Sequence, residues 1–263
     1  MQYHRLIPCL LLKHGLIVRS QTFSTHQIIG NPVSTIDRLS NWNVDELVVL
    51  DISLNDQHDM RREDHFVRYQ GSSTLDLLRY IAQACAMPLS FGGRIRTIID
   101  IRGRIAAGAD KCVINSEAVR NPGLISEAAE TFGTQCIVVS IDALRHPDGS
   151  TEVFIDGGRK ATGLSPSEWA REAERLGAGE IFLNSIDRDG VGNGYDLALV
   201  RAVTEAVSIP VIASGGVGEL RHLLEGLLAG ADAVLAASIF HDGQHSIGEV
   251  KEFLQRQGIA VRL

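Results

Sequence analysis

The stretch Pro88 to Ser116, PLSFGGRIRTIIDIRGRIAAGADKCVINS, returns without a gap as Pro210 to Ser238, PVIASGGVGELRHLLEGLLAGADAVLAAS. The opening proline, a glycine at the end of the first apolar run, the tetrapeptide AGAD and the closing serine coincide. Upstream, DELVVLDI ending at Ile52 matches GEIFLNSI ending at Ile186, and the offset between the halves changes only across the polar segment from Asn55 to Ser73. One loop is therefore longer in the first half. Each copy reads as apolar run, glycine turn, helical pattern, apolar run, so the duplicated unit is a β-α-β-α block that cannot close a sheet alone.

Working outward, apolar or β-branched runs recur at Arg5 to Leu12, Glu46 to Ile52, Pro88 to Phe91, Cys112 to Ile114, Cys136 to Ile141, Glu180 to Asn184, Pro210 to Ala213 and Ala233 to Ala236. Runs that do not alternate are strands buried on both faces, and helical stretches between them imply parallel pairing through crossovers. Eight such units predict an α/β fold of the (β/α)8 TIM-barrel type, built from two duplicated half-barrels, with residues 1–263 as a single domain. A doubly wound sheet also alternates, but its dinucleotide fingerprint GxGxxG is absent.

Composition agrees with a globular chain rather than a disordered, collagenous or low-complexity one: 263 residues, 44% hydrophobic, 22% charged. A net charge of −7 without a basic block argues against a nucleic-acid partner. The run from Pro8 to Leu12 is broken by Lys13 and His14, and no run approaches a membrane span, so a soluble protein without a membrane partner is expected. Cys9, Cys85, Cys112 and Cys136 form no CxxC pair. They read as free thiols of a reducing compartment, and the expected localisation is cytoplasmic.

In a barrel of this kind the chemistry sits at the carboxyl ends of the strands. Gly92-Gly93 and Ser214-Gly215-Gly216 follow the third and seventh runs, and Asn115-Ser116 and Ala237-Ser238 follow the fourth and eighth. Glycine admits close backbone approach, and helix N-termini attract anions, so these loops predict two phosphate pockets facing each other. Glycines that merely turn a strand into a helix are the alternative. Asp51, Asp142, Asp187 and Asp189 stand at strand ends as candidate acids and bases, with helix capping as the competing reading. The Asp- and Gly-rich stretch SIDRDGVGNGYD lacks EF-hand spacing, and no metal or cofactor is assigned. At the other ends of the strands lie Arg5, Glu46, Lys111 and Glu180, two positive and two negative groups that are either solvated separately or joined in a ring.

DELVVLDI, AGADKCVINS, AVRNPGLI, VVSIDA, GAGEI, SIDRDGVGNGYD, PVIASGGVG, LAGADAVLAASIFH and the closing VRL span nearly the whole chain. Through them it resembles the HisF family, the cyclase subunit of imidazole glycerol phosphate synthase. The resemblance implies a barrel docked by its bottom face on a glutaminase (HisH-like) subunit, with ammonia passing through the core to a phosphorylated small-molecule ligand at the mouth. It implies an ammonia gate at Arg5, Glu46, Lys111 and Glu180. Phosphate positions carry over to Asn115, Ser116, Asp189, Gly190, Gly216, Ala237 and Ser238, beside Gly93 and Gly215 of the glycine loops, and a catalytic carboxylate to Asp142.

The family's first catalytic carboxylate does not carry over. Where its pattern is C-L-D-V-K-D-G, this chain has Cys9-Leu10-Leu11-Leu12-Lys13-His14-Gly15, so Leu11 stands in the place of an acid/base group. Loss of such a group costs about 10²–10⁴ in rate. Arg19 replaces a loop lysine, and Arg94 the third glycine of the first phosphate loop. The altered segment is similar to divergent HisF-like paralogues that work with a glutaminase and a sugar amidotransferase in amidination of a surface-polysaccharide sugar. The alternatives are a genuine cyclase of histidine biosynthesis, with His14 as a substitute acid, and a non-catalytic scaffold.

Overall fold

The structure is a computed structural model that describes residues 3–40, 42–56 and 73–263. Strands run in chain order as β1 (Arg5–Lys13), β2 (Leu16–Gln21), β3 (Thr25–Gly30), β4 (Leu47–Asp51), β5 (Leu89–Gly92), β6 (Lys111–Ile114), β7 (Ile137–Arg145), β8 (Thr151–Ile155), β9 (Lys160–Ala161), β10 (Glu180–Ser185), β11 (Val211–Ser214) and β12 (Ala233–Ala236). The helices are α1 (Pro32–Ser40), α2 (Thr74–Ala84), α3 (Ile98–Ala106), α4 (Ser116–Arg120), α5 (Gly123–Phe132), α6 (Pro166–Arg175), α7 (Leu197–Thr204), α8 (Leu220–Leu228), α9 (Ser238–His241) and α10 (Ile247–Arg256).

Each of the eight apolar runs becomes a parallel strand, in the order β1-β4-β5-β6-β7-β10-β11-β12, and β12 pairs with β1 in parallel to close the ring. The fold is a closed (β/α)8 TIM barrel. Its duplication is visible in the helices as well: a short helix precedes a long one after β6 (α4, α5) and again after β12 (α9, α10). Most of the segment that lengthens the first half, Asn55 to Ser73, lies outside the described residues. Two antiparallel excursions were not expected. β1 folds back through β2 onto β3, and β7 through β8 onto β9.

Period-two alternation sorts the strand residues into two cores. Leu6, Leu10 and Leu12, with Leu47, Val49, Ile114, Val139 and Ile181, face the helices. Ile7, Cys9, Val48, Val113, Val138, Phe182, Ile212, Ala233 and Leu235 form a separate apolar cluster inside the barrel. Interior packing of this kind is unforgiving, and Phe182→Ala there should cost about 3–5 kcal/mol. Cys9 and Cys112 are buried and free, whereas Cys85 and Cys136 are only half-buried. Among the described residues no helix is long and apolar enough to cross a membrane.

Beneath the barrel, Lys251 of α10 is fully buried and donates to the Asn43 carbonyl at 2.7 Å and to Asp45 at 2.8 Å. Asp45 also accepts from the Leu6 amide at 2.9 Å, so one buried pair ties the last long helix to the starts of β1 and β4.

Candidate active site

At the carboxyl ends of the strands lies a cleft of about 510 Å³, lined by Leu11, Gly93, Asn115, Ser116, Asp142, Asp189, Gly190, Gly215, Gly216, Ala237 and Ser238 together. These residues come from opposite halves of the repeat and converge because β/α loops of a barrel all open on one face. Leu11 on β1 and Asp142 on β7 lie half the barrel apart in strand order. With Leu50, Val113, Phe182 and Leu235 in the same wall, Leu11 continues the interior apolar surface up to the mouth.

The four candidate carboxylates separate sharply. Asp187 accepts from the Arg145 amide at 2.7 Å and does not line the cleft. Asp51 is wholly buried and bound by Arg94 at 2.9 Å, Thr74 Oγ1 at 2.9 Å and the Ser53 amide at 2.9 Å. Asp189 accepts from Ser20 Oγ at 2.7 Å and from the Phe23 amide at 3.3 Å, which fastens the β2–β3 excursion over the mouth. Burial pushes the Asp189 pKa up, against the hydrogen bonds from Ser20 and Phe23. Gly190 belongs to the same junction, since a Cβ on it would overlap the Ser20 carbonyl.

Asp142 sits buried in the floor, and among the described residues no cation pairs with it. Burial raises its pKa to about 7, while hydrogen bonds from Asn115, at 3.1 Å, and Asn184 hold it down and the Asp189 charge adds to the rise. A carboxyl titrating there can give or take a proton near neutrality. Asn184 Oδ1 is buried beside it with no hydrogen-bond partner among the described residues, an acceptor positioned for a donor on a ligand.

The glycine loops place positive-φ residues at equivalent positions in both halves. Gly93 (φ +117°) and Gly215 (φ +92°) occupy equivalent positions, and a Cβ on either would run into backbone, of Asp51 and Ser185 respectively. The next position is Arg94 (φ +49°) in one half and Gly216 (φ +106°) in the other. α4 and α9 begin from Asn115 and Ala237, both in the cleft lining, with non-helical dihedrals and no side-chain cap.

His14 is exposed in the β1–β2 turn with φ +52°, and it is absent from the cleft wall. The substitute-acid reading of His14 is therefore corrected. Among the described residues two histidines line the mouth, and the first is His26 on β3, 3.4 Å from Lys13 Nζ, its pKa lowered by partial burial and by Lys13. His241 also lines it, but its ring bonds the Cys9 carbonyl at 3.1 Å, and burial lowers its pKa to about 4. No sequence motif marked His26; only the β2–β3 excursion carries it to the mouth.

At the opposite end the four strand-start charges do form a ring. Arg5 pairs with both Glu46 and Glu180, and Lys111 reaches Glu46 at 2.8 Å and Glu180 at 2.9 Å. Burial raises the Glu46 pKa, but Lys111 and Arg5 outweigh it and hold the carboxylate ionised below its usual range. Ser90 adds a hydrogen bond at 2.7 Å. Below the ring, Tyr3, Gln135, Gly179, Pro210 and Asp232 join Arg5, Lys111 and Glu180 around a depression of about 230 Å³.

A TIM barrel with a buried, tuned carboxyl and repeated glycine loops at its mouth has the layout of a barrel enzyme. The family model for histidine biosynthesis proteins matches residues 5–246, and the chain belongs to that family. The TIM barrels of this family are isomerase- or cyclase-type enzymes.

Proposed function

We propose that this chain is the HisF-type, ammonia-receiving barrel of a glutamine amidotransferase complex, diverged from the cyclase and serving amidination of a surface-polysaccharide sugar. The observation that carries this reading is the alignment of three layers along one axis. The charged ring of Arg5, Glu46, Lys111 and Glu180 closes the bottom, an apolar interior follows, and Asp142 lies at the top. A neutral small molecule crosses such an interior far more readily than an ion, because an isolated charge loses its hydration there. The depression under the ring is the docking point for a glutaminase subunit.

At the mouth, Gly215, Gly216, Ala237 and Ser238 hold a phosphate of the ligand through backbone amides and the serine hydroxyl. Gly93, Asn115 and Ser116 form the facing wall, and Gly190 with Asp189 fixes the loop above. Asp142 moves a proton on or off the substrate nitrogen or oxygen. Leu11 supplies no second proton-transfer group, which favours handing ammonia on to a separate sugar amidotransferase over completing a cyclisation.

The second reading is a genuine cyclase making imidazole glycerol phosphate in histidine biosynthesis. It is favoured by the raised Asp142 pKa and by His26 at the mouth. One experiment separates them. The barrel is mixed with a glutaminase subunit and amide-¹⁵N glutamine, and turnover is followed with the cyclase substrate present. Glutamine hydrolysis stimulated by the barrel, with cyclisation near background, supports the amidination reading. Rapid cyclisation that His26→Ala abolishes overturns it.

A further inference from the structure

The two halves of the mouth share positive-φ turns at equivalent positions but differ in what their side chains hold. In the second half, Gly216 and Ser185 are small and uncharged, and the Ser238 hydroxyl has no hydrogen-bond partner among the described residues. In the first half, the equivalent positions hold Arg94 and Asp51, which form an ion pair at 2.9 Å with the Asp51 side chain wholly buried. Both terminal nitrogens of Arg94 are committed: Nη1 donates to the Ser53 carbonyl at 2.8 Å, and Nη2 to Asp51, to Asp56 at 3.2 Å and to Thr74. Ser116 is committed as well, accepting from the Asp156 amide at 2.9 Å and donating to Asn115 Oδ1 at 3.1 Å. Arg120 pairs with Asp156 and holds it there.

We propose that the Arg94–Asp51 pair closes the first-half loop to anions, so that the mouth takes a ligand carrying one phosphate, held by the second-half loops, rather than a bisphosphate spanning both. The inference rests on the phosphate reading above and makes it more specific. An incoming phosphate at the first loop would have to displace a buried carboxylate from its arginine and a backbone amide from Ser116. None of these costs arises at the second loop. Arg94 is thus a specificity-determining residue that acts by being occupied. Arg94 is a non-glycine residue held at φ +49°, a strained conformation kept in place by its bonds to Asp51 and Ser53.

The test counts sites with inorganic phosphate by isothermal titration. The native chain should bind one equivalent, with affinity lowered about tenfold by Ser238→Ala. The double variant Asp51→Ser, Arg94→Gly, which copies Ser185 and Gly216 into the first half, should bind two equivalents. Two equivalents on the native chain, one equivalent indifferent to Ser238→Ala, or a folded double variant that still binds one would each overturn the proposal. Should the double variant not fold, the native chain decides alone: ribulose 1,5-bisphosphate should bind within about threefold of ribose 5-phosphate, and a gain of thirtyfold or more refutes the lock. Failure of every form to bind phosphate would instead refute the phosphate reading on which the proposal stands.

Discussion

Asp142→Asn should make this barrel more stable, and only above the acid range. The Asp142 carboxyl is buried, and its pKa stands at about 7 against an ordinary value of 3.8. Between those values the unfolded chain has released a proton that the folded chain retains, so folding takes up a proton and stability falls as pH rises. The penalty is complete above about pH 7. A shift of roughly three pH units corresponds to about 4 kcal/mol. Asparagine keeps the shape and can still accept from Asn115, but it carries no charge to desolvate. For a chain of this size, 1 kcal/mol moves Tm by about 2–4 °C, so the variant should melt about 10 °C above the native protein at pH 8. The gap should shrink towards zero by pH 4. Acid loss of stability from Glu46, whose pKa is depressed, is common to both proteins and cancels in the difference. Thermal melts of the pair from pH 4 to pH 8 provide the check, and a gap independent of pH, or one that narrows as pH rises, would refute a buried carboxyl ionising near neutrality.

Leu11→Asp should raise cyclisation with free ammonia from near background by at most about 10²–10⁴, read by product formation, and no increase would mean that the loop has departed from the cyclase geometry. Lys111→Ala leaves Glu46 and Glu180 facing each other with Arg5 alone between them, so glutamine hydrolysis in a glutaminase complex should continue while ammonia transfer to the barrel falls; unchanged coupling would reduce the ring to a structural feature. Lys251→Met strands the nearly buried Asp45 carboxylate and should destabilise the fold by about 3–5 kcal/mol in chemical denaturation, whereas adding Asp45→Asn should recover part of the loss.

The barrel was legible because a strand buried on both faces must be apolar throughout, and eight such stretches, four of them inside a gapless repeat, leave little freedom of topology. Asp142 was legible for a related reason: it ends an apolar run and so has to emerge at the mouth. The β2–β3 excursion escaped notice because THQIIG is largely exposed and its polarity follows no period. His26 was lost with it. The Arg94–Asp51 pair joins residues from consecutive β/α loops, and nothing in either segment alone signals that the two side chains meet. The charged ring lay between these cases. Its members were identifiable as strand starts, but only closure of the sheet shows that four distant charges share one opening.

Closure also sets when this protein can fold. Arg5 pairs in register with Ala233, and Lys251 must arrive before Asp45 is neutralised. The earliest strand synthesised therefore waits for the last. Until then β1 has one unpaired edge, and contacts of such long sequence separation are slow to form. During translation the N-terminal half, already rich in apolar strand, depends on its own repeat unit or on a chaperone to stay out of aggregates. Amide hydrogen exchange during refolding would register this as late protection of β1 and β12, after the β5–β6 and β10–β11 pairs.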